Sequence, residues 1–380
     1  MFKRKISVKQ NLKKMQQYLD LARTILARGV KTDDRTGTGT LAIPSYEYVC
    51  ELEEENGIIK NYPLLTTKRM SLKSVFEELI WKLSGNTNIR YLVERENHIW
   101  TEWPFKKYLK ATKQLDLLEN MWEDEARTDY TDEWKAAKLE FEKMILKDDA
   151  FCEKWGEIGH TYGYQFRNFG EVRIRDIAAH TAGDLHECYV VLPSVVLSNG
   201  EVQERRKFYF DTDADTILIS GKDQLLNTVE KIKNHPESRR IMITLWNPHD
   251  ETEDRTLLPP CPFLYQFFAN EEGVLHLKMV QRSCDTFLGV PYNTAQDALF
   301  LCMMAHVTGR KPGRFTHSFG DAHIYLNHIE QMKKQVTRIP HKLPSIKLNP
   351  EVKNILDFKW EDIELIDYEH DKGIKGAVSI

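Results

Sequence analysis

From Ser71 onward the apolar residues fall at Leu72, Val75, Phe76, Leu79, Ile80 and Leu83, the spacing of one helix face, and Gly85 ends the run. Leu12, Met15, Leu19, Leu21, Ile25 and Leu26 predict another helix over residues 8–28, stopped by Gly29. Leu225, Leu226, Val229 and Ile232 predict a third over 222–235, and a short one is expected from Asn88 to Glu96. Leu41 to Cys50 reads as a strand, and Ile241 to Trp246 as a buried one. The apolar run after Cys261 and the run from Val274 to Gln281 flank Asn270-Glu271-Glu272-Gly273, which predicts a hairpin of two long strands. Beyond Phe287 the chain stays apolar through His306 and predicts a helix.

Two stretches break this texture. Residues 104–155 are dominated by lysine, glutamate, aspartate and tryptophan, with helix-like spacing from Thr131 to Lys147, and predict an inserted, solvated helical subdomain. Residues 171–221 are β-branched and polar around Asn199-Gly200, a hairpin signal, and form a second insertion. Neither carries a chemical motif.

The 380 residues can bury a sizeable core in one large domain or two ordinary ones. A formal net charge of −4 gives no overall positive field for nucleic acid or anionic lipid, so any phosphate must be held by local arginines. No segment has the apolar length of a membrane span, and Met1-Phe2-Lys3-Arg4-Lys5 leads into no apolar signal run; a cytoplasmic protein is expected. Six scattered cysteines without a C-x-x-C pair indicate neither a disulfide framework nor a zinc knuckle.

Against that background one thiol stands out. Leu257-Leu258-Pro259-Pro260-Cys261 sets Cys261 behind two prolines at the mouth of a strand, which fixes the backbone and aims a candidate nucleophile. Glu78 lies inside the apolar belt of its helix with no obvious local lysine, which is costly for a carboxylate without a role. Asp33 to Thr40, with Gly37 and Gly39, is either a plain hairpin turn or a phosphate clamp of Arg35 and backbone N–H groups. Arg239 and Arg240 are either surface charges or a pair for a phosphate monoester. Trp100 and Trp103 could line a pocket for a flat ring. Asp321, His323 and His328 lack compact ligand spacing, and no metal is expected.

Seven stretches, in order, resemble the thymidylate synthase family: Asp34 to Thr40, Pro63 to Arg69, Glu78 to Trp81, Ser238-Arg239-Arg240, Leu258 to Cys261, Gln281 to Asp285 with Asn293, and Gly320 to Tyr325. The likeness covers residues 8–103, 156–170 and 222–380. It implies a single domain over 1–380 of α/β (α+β) class, built on a large twisted sheet flanked by helices, with two-fold dimers joined through the sheets. It also implies one-carbon transfer from 5,10-methylenetetrahydrofolate to C5 of a pyrimidine nucleotide, without metal.

By the same resemblance Cys261 is the nucleophile, and Arg35, Arg282 and Ser283 are phosphate ligands, with Arg239 and Arg240 reaching in from the other subunit. Asn293 matches the reader of the pyrimidine edge, and His323 and Tyr325 the ribose contacts. Lys68, Trp100, Asp285, Leu288, Gly289 and Tyr292 match folate positions, Asp285 lying beside the substrate as well. Glu78 and Tyr162 match a proton-handling pair, and Ile374 to Ile380 the tail that closes over folate. A carboxamide at Asn293 can donate to O4 and accept from N3–H of uracil, which favours dUMP over dCMP.

Several positions depart from the family pattern. Pro262 stands where a histidine usually follows the nucleophile, Thr101 where an acid separates the tryptophans, His160 and Thr161 where more apolar residues precede Tyr162, and Phe166 in the usual Gln-Trp; residues 171–221 have no counterpart in ordinary synthases. An exocyclic methylene on the pyrimidine can take hydride from tetrahydrofolate or be attacked by water, and a synthase must exclude that water. Pro262, His160 and Thr161 therefore resemble the viral dUMP hydroxymethylases, and 5-hydroxymethyl-dUMP, in a host cytoplasm, is the expected product. The alternatives are dTMP with dihydrofolate and, remotely, an inactive nucleotide-binding relative.

Overall fold

The computed structural model describes residues 14–170, 172–174, 195–196, 202–203, 208–211, 216–219, 221–252 and 255–380. Its elements are α1 (Gln16–Arg28), β1 (Val30–Thr32), β2 (Thr40–Glu51), β3 (Glu53–Glu55), β4 (Ile58–Lys60), α2 (Leu72–Leu83), α3 (Arg90–Val93), α4 (Glu102–Ala111), α5 (Leu115–Glu119), α6 (Asp132–Lys147), α7 (Asp149–Trp155) and α8 (Tyr162–Asn168). There follow β5 (Val172–Ile174), β6 (Val195–Val196), β7 (Val202–Gln203), β8 (Phe208–Asp211), β9 (Thr216–Ile219), α9 (Gln224–Asn234), β10 (Met242–Thr244), β11 (Pro262–Ala269), β12 (Val274–Asp285), α10 (Gly289–Val307), β13 (Lys311–Tyr325), α11 (Ile329–Val336), β14 (Ser345–Leu348) and β15 (Ile363–Ile366).

Six strands form the main sheet in the order β1-β2-β13-β12-β11-β10, antiparallel throughout except for the parallel β12/β13 pair. That one parallel pairing decides where the motifs go. The start of β11, the ends of β12 and β13 and the start of β2 all arrive at the same end of the sheet. In register, Pro262 faces Gln281, Ser283 faces Asp321, Asp285 faces His323, and Tyr325 faces Thr40. Motifs far apart in sequence thereby become neighbours across single ladder rungs.

Helices α2, α9 and α10 form where expected because each has a face to bury; of the helix expected over 8–28, α1 covers Gln16–Arg28, Lys14 and Met15 are a turn, and residues 8–13 lie outside the described residues. Ser71 Oγ accepts the Ser74 N–H to cap α2, a contact worth about 1 kcal/mol in general. Gly85, at φ 84°, lets the chain leave in the left-handed region. Helix α10 is buried on every side, as an apolar sequence requires, and packs on β12, β13 and α2 at the centre of the core.

Differences from expectation have local causes. Asn88 to Glu96 contains only the one-turn α3, the remainder being turns apart from an antiparallel bridge of Asn88 to Glu157. Ile241 to Trp246 contributes just three strand residues at the sheet edge, with Met242 exposed and Ile241, Ile243 and Leu245 buried. The fifteen-residue β13, which completes the sheet, carries glycine, histidine and aspartate and has no clean apolar alternation. Between 104 and 155 the chain forms α4 to α7, a helical layer packed through Phe105, Trp134 and Phe141. The Asn199-Gly200 turn lies outside the described residues, though β6 and β7 on either side pair antiparallel.

Candidate active site

Cys261 sits immediately before β11, partly exposed, whereas Cys50, Cys152, Cys284 and Cys302 are buried. Burial pushes the Cys50 thiol up to about 12 and raises Cys152, Cys284 and Cys302 as well, so these four behave as apolar side chains. The loop before Cys261 is clasped by Arg282, whose Nε and Nη2 donate to the carbonyls of Pro260 and Pro259 at 2.9 and 3.0 Å, and whose backbone N–H donates to the Cys261 carbonyl at 2.8 Å. The same guanidinium lies 5.1 Å from the Trp246 ring centroid. A guanidinium is thus fixed against the loop that carries the thiol.

The Cys261 N–H donates to the Tyr162 hydroxyl at 2.8 Å. Tyr162 begins α8, buried, and burial followed by the neighbouring Cys261 holds its phenol well above the ordinary tyrosine range. The approach to it depends on Gly159 at φ 81°, where a Cβ would lie 2.1 Å from the Arg255 carbonyl oxygen. His160 pairs with Asp250 Oδ1 at 2.9 Å and stacks on Tyr164, ring centroids 3.8 Å apart. The Thr161 hydroxyl donates to the Leu258 carbonyl at 2.9 Å. Both residues have structural partners that pin the segment before Tyr162 to the segment before Cys261.

Glu78 lies behind Tyr162 on α2. Its Oε1 accepts from Trp100 Nε1 at 2.9 Å and from Lys82 Nζ at 2.8 Å, and its Oε2 from Gln296 Nε2 at 2.8 Å. The expectation that no lysine is near is corrected by Lys82, one helical turn on. Lys82 stands at i+4 from Glu78 on the same helix face, and the packing of α2 against α8 and α10 buries it. Trp100 packs edge-on to Tyr162, with centroids 5.5 Å apart.

Asn293, on the first turns of α10, is oriented by a relay that the sequence does not announce. Gln281 Nε2 donates to Asn293 Oδ1 at 3.0 Å, and Gln281 Oε1 takes the Nε2–H of buried His317 at 2.8 Å. His317 Nδ1 lies 3.1 Å from Thr294 Oγ1, which in turn contacts the Tyr48 hydroxyl at 2.5 Å. Burial pushes His317 far below the usual histidine range, so the ring is neutral, with one donor and one acceptor nitrogen. Since Oδ1 is engaged by Gln281, Asn293 presents its NH₂ as the free donor.

Ser283 and Asp285 stand on β12 beside Asp321 and His323 of β13. Asp285 Oδ1 accepts the N–H groups of Phe287 and Leu288 at 3.0 and 3.2 Å, shaping the turn into Gly289 and α10. His323 Nδ1 is 2.7 Å from Asp321 Oδ1, and its ring meets Tyr325 edge-on. Lys68 is buried with Nζ donating to the Phe287 carbonyl, and burial lowers it to about 8 despite nearby Asp285. Tyr292 and Leu288 are half-buried at the same end of α10.

The Arg35 turn differs from a backbone phosphate cradle. The N–H of Gly37 goes to the Asp34 carbonyl at 3.0 Å, and those of Thr36 and Gly39 go to the Asp34 carboxylate at 2.8 and 2.7 Å. Burial alone would raise Asp34, but these hydrogen bonds hold it below its ordinary value. The exposed Arg35 guanidinium is what the turn offers. Arg127, from the helical layer, donates to the Thr36 carbonyl at 2.7 Å and braces it. Arg239 and Arg240 are exposed in the turn before β10, and no hydrogen bond or ion pair ties their side chains to the Cys261 cluster among the described residues.

The C-terminal tail folds onto this end of the sheet. His328 Nε2 donates to the Ala377 carbonyl at 2.8 Å, the Tyr130 hydroxyl to the Val378 carbonyl at 2.5 Å, and Ile380 is buried. Among the described residues no helix is long and apolar enough to cross a membrane.

The model of the thymidylate synthase family matches residues 16–380. The chain belongs to the thymidylate synthase family. It is 37% identical over 368 residues to a thymidylate synthase of Listeria monocytogenes serotype 4b (strain F2365), covering 96% of this chain and 100% of the relative. It is also 37% identical over 366 residues to that of Mycoplasma mobile, with the same coverage. The mixed α/β architecture with one large sheet flanked by helices is that of the family, whose members transfer a one-carbon unit to C5 of dUMP with methylenetetrahydrofolate.

Proposed function

We propose that this protein makes dTMP from dUMP, with 5,10-methylenetetrahydrofolate as the donor. The observation that carries the reading is the convergence of Cys261, Tyr162, Glu78 and Asn293 at one end of the sheet, in a chain resembling named thymidylate synthases over its whole matched length. The expectation of 5-hydroxymethyl-dUMP, and of a viral enzyme, finds no such support. His160 and Thr161, two of the three residues that motivated it, are engaged with Asp250 and the Leu258 carbonyl.

In this mechanism Cys261 adds through its sulfur to C6 of dUMP, turning C5 into an enolate carbon able to attack an electrophilic methylene. Asn293 donates its NH₂ to O4, where negative charge develops, and accepts from N3–H on Oδ1. Tyr162 takes the proton leaving C5, and Glu78 serves as the ordered acid on the O4 side of the pyrimidine. The folate would supply the carbon at the oxidation level of formaldehyde, leave it as tetrahydrofolate when the C5 proton is lost, and return a hydride whose arrival breaks the Cys261–C6 bond, giving dTMP and dihydrofolate. Its binding residues would be Trp100, Leu288, Gly289 and Tyr292 around the ring, Asp285 for N–H groups, and Lys68 for anionic charge. Arg35, Arg282 and Ser283 would hold the phosphate, with Arg239 and Arg240 of a two-fold partner, and His323 and Tyr325 the ribose.

Incubation with dUMP and methylenetetrahydrofolate tests the reading. dTMP together with dihydrofolate is expected; 5-hydroxymethyl-dUMP with tetrahydrofolate, or binding of dUMP without turnover, would overturn it.

A further inference from the structure

Lys82 is a buried ammonium that the proposed chemistry does not use. It sits one turn after Glu78 on α2, its side chain 5% exposed, where an unpaired charge is costly. Two of its three N–H groups are accounted for by Glu78 Oε1 and Gln296 Oε1, each at 2.8 Å. Its Nζ also lies 4.5 Å from the Tyr162 ring centroid, in cation–π range. The other ionisable groups around this pocket are Asp297 of α10, which burial pushes up to about 7, and Tyr265 of β11, raised by burial.

The hydrogen bonding has a direction. An ammonium only donates, so the Gln296 oxygen must face Lys82 and the Gln296 NH₂ must face Glu78 Oε2. Glu78 Oε1 is then filled by Trp100 and Lys82, and Oε2 by Gln296, leaving one open lone-pair site on Oε2 for a water or the pyrimidine. Remove Lys82 and two contacts go together: the charge opposite the carboxylate and the donor to the Gln296 oxygen, whose NH₂ also faces the Val75 carbonyl at 3.3 Å.

We propose that Lys82 is a positioning residue for one-carbon transfer, clamping the Glu78 carboxylate directly and through Gln296 while its charge over the Tyr162 ring ties the two proton-handling groups into one unit. The proposal rests on Glu78 and Tyr162 handling protons in the reaction above.

The test compares wild type, Lys82→Met, Lys82→Gln, Glu78→Gln and the Glu78→Gln/Lys82→Met double variant in two assays. These are dTMP formation and release of tritium from [5-³H]dUMP without folate. Lys82→Met is expected to lower kcat and the exchange rate roughly a hundredfold with the KM for dUMP changed less than about threefold, and the double variant to be no worse than Glu78→Gln alone. Lys82→Gln, which keeps donors without the charge, should lose kcat in the same direction. A kcat within about threefold of wild type in either Lys82 variant, or losses that multiply in the double variant, would overturn the proposal. Wild-type protein inert in both assays would instead overturn the proposed function, and the role of Lys82 with it.

Discussion

The backbone N–H of Cys261 donates to the hydroxyl of Tyr162 at 2.8 Å, so the nucleophile's own peptide fixes where the phenol oxygen stands. That contact uses an acceptor site on Oη and leaves its proton to point elsewhere. Tyr162→Phe should keep formation of the Cys261–dUMP adduct, seen as loss of pyrimidine absorbance, but lower tritium release from C5 by about 10² to 10⁴. Unchanged release would remove Tyr162 from the proton step.

The relay from His317 through Gln281 sets the orientation of Asn293. Gln281→Leu frees the Asn293 amide to rotate, and a rotated amide can satisfy cytosine as well as uracil. The ratio of kcat/KM for dUMP to that for dCMP should fall on the order of tenfold or more, whereas a ratio equal to wild type would show that Asn293 is held by other means.

Arg239 and Arg240 are exposed, and among the described residues no hydrogen bond or ion pair joins their side chains to the Cys261 cluster. If they serve a partner's phosphate site, Cys261→Ala and the Arg239→Ala/Arg240→Ala double variant should each be inactive or severely impaired. Equilibrated together, they should regain activity approaching a quarter of wild type, from mixed dimers with one intact site. Mixtures no better than their components would leave the arginines without that role.

The helical layer reaches the site at two points, through Arg127 on the Arg35 turn and through Tyr130 on the tail. Loss of one hydrogen bond in Tyr130→Phe should loosen the tail and raise the KM for folate several-fold with little change for dUMP. Chromatography of the products should also show some 5-hydroxymethyl-dUMP as water gains entry.

Burial raises the phenols of Tyr18, Tyr48, Tyr62, Tyr162 and Tyr265 above their ordinary value of 10.0. A group whose folded value is raised contributes stability that is fully present below the unfolded value and is lost as pH rises past it. Denaturant-measured stability should therefore fall steeply above pH 10. Tyr62→Phe, which removes one such group, should reduce the slope by up to about 1.4 kcal/mol per pH unit. An identical slope would mean Tyr62 does not titrate with unfolding.

The sequence by itself determined the helices with strong periodicity, the Cys261 hairpin and the order of the motifs, because each depends on neighbours a few residues apart. It marked Cys261 through the flanking prolines and Glu78 through its place in an apolar stripe. It did not show Lys82 as buried, the relay behind Asn293, or the engagement of His160 with Asp250, since each joins residues of unremarkable type from separate elements. Those relationships were decided by the tertiary structure. One parallel pairing, β12 with β13, brings four strand ends to the same end of the sheet, and α10 packed against α2 buries Lys82 as the inner partner of a carboxylate. Local pattern specifies which residues can carry charge or a thiol; the sheet topology and helix packing set which of them lose water and meet.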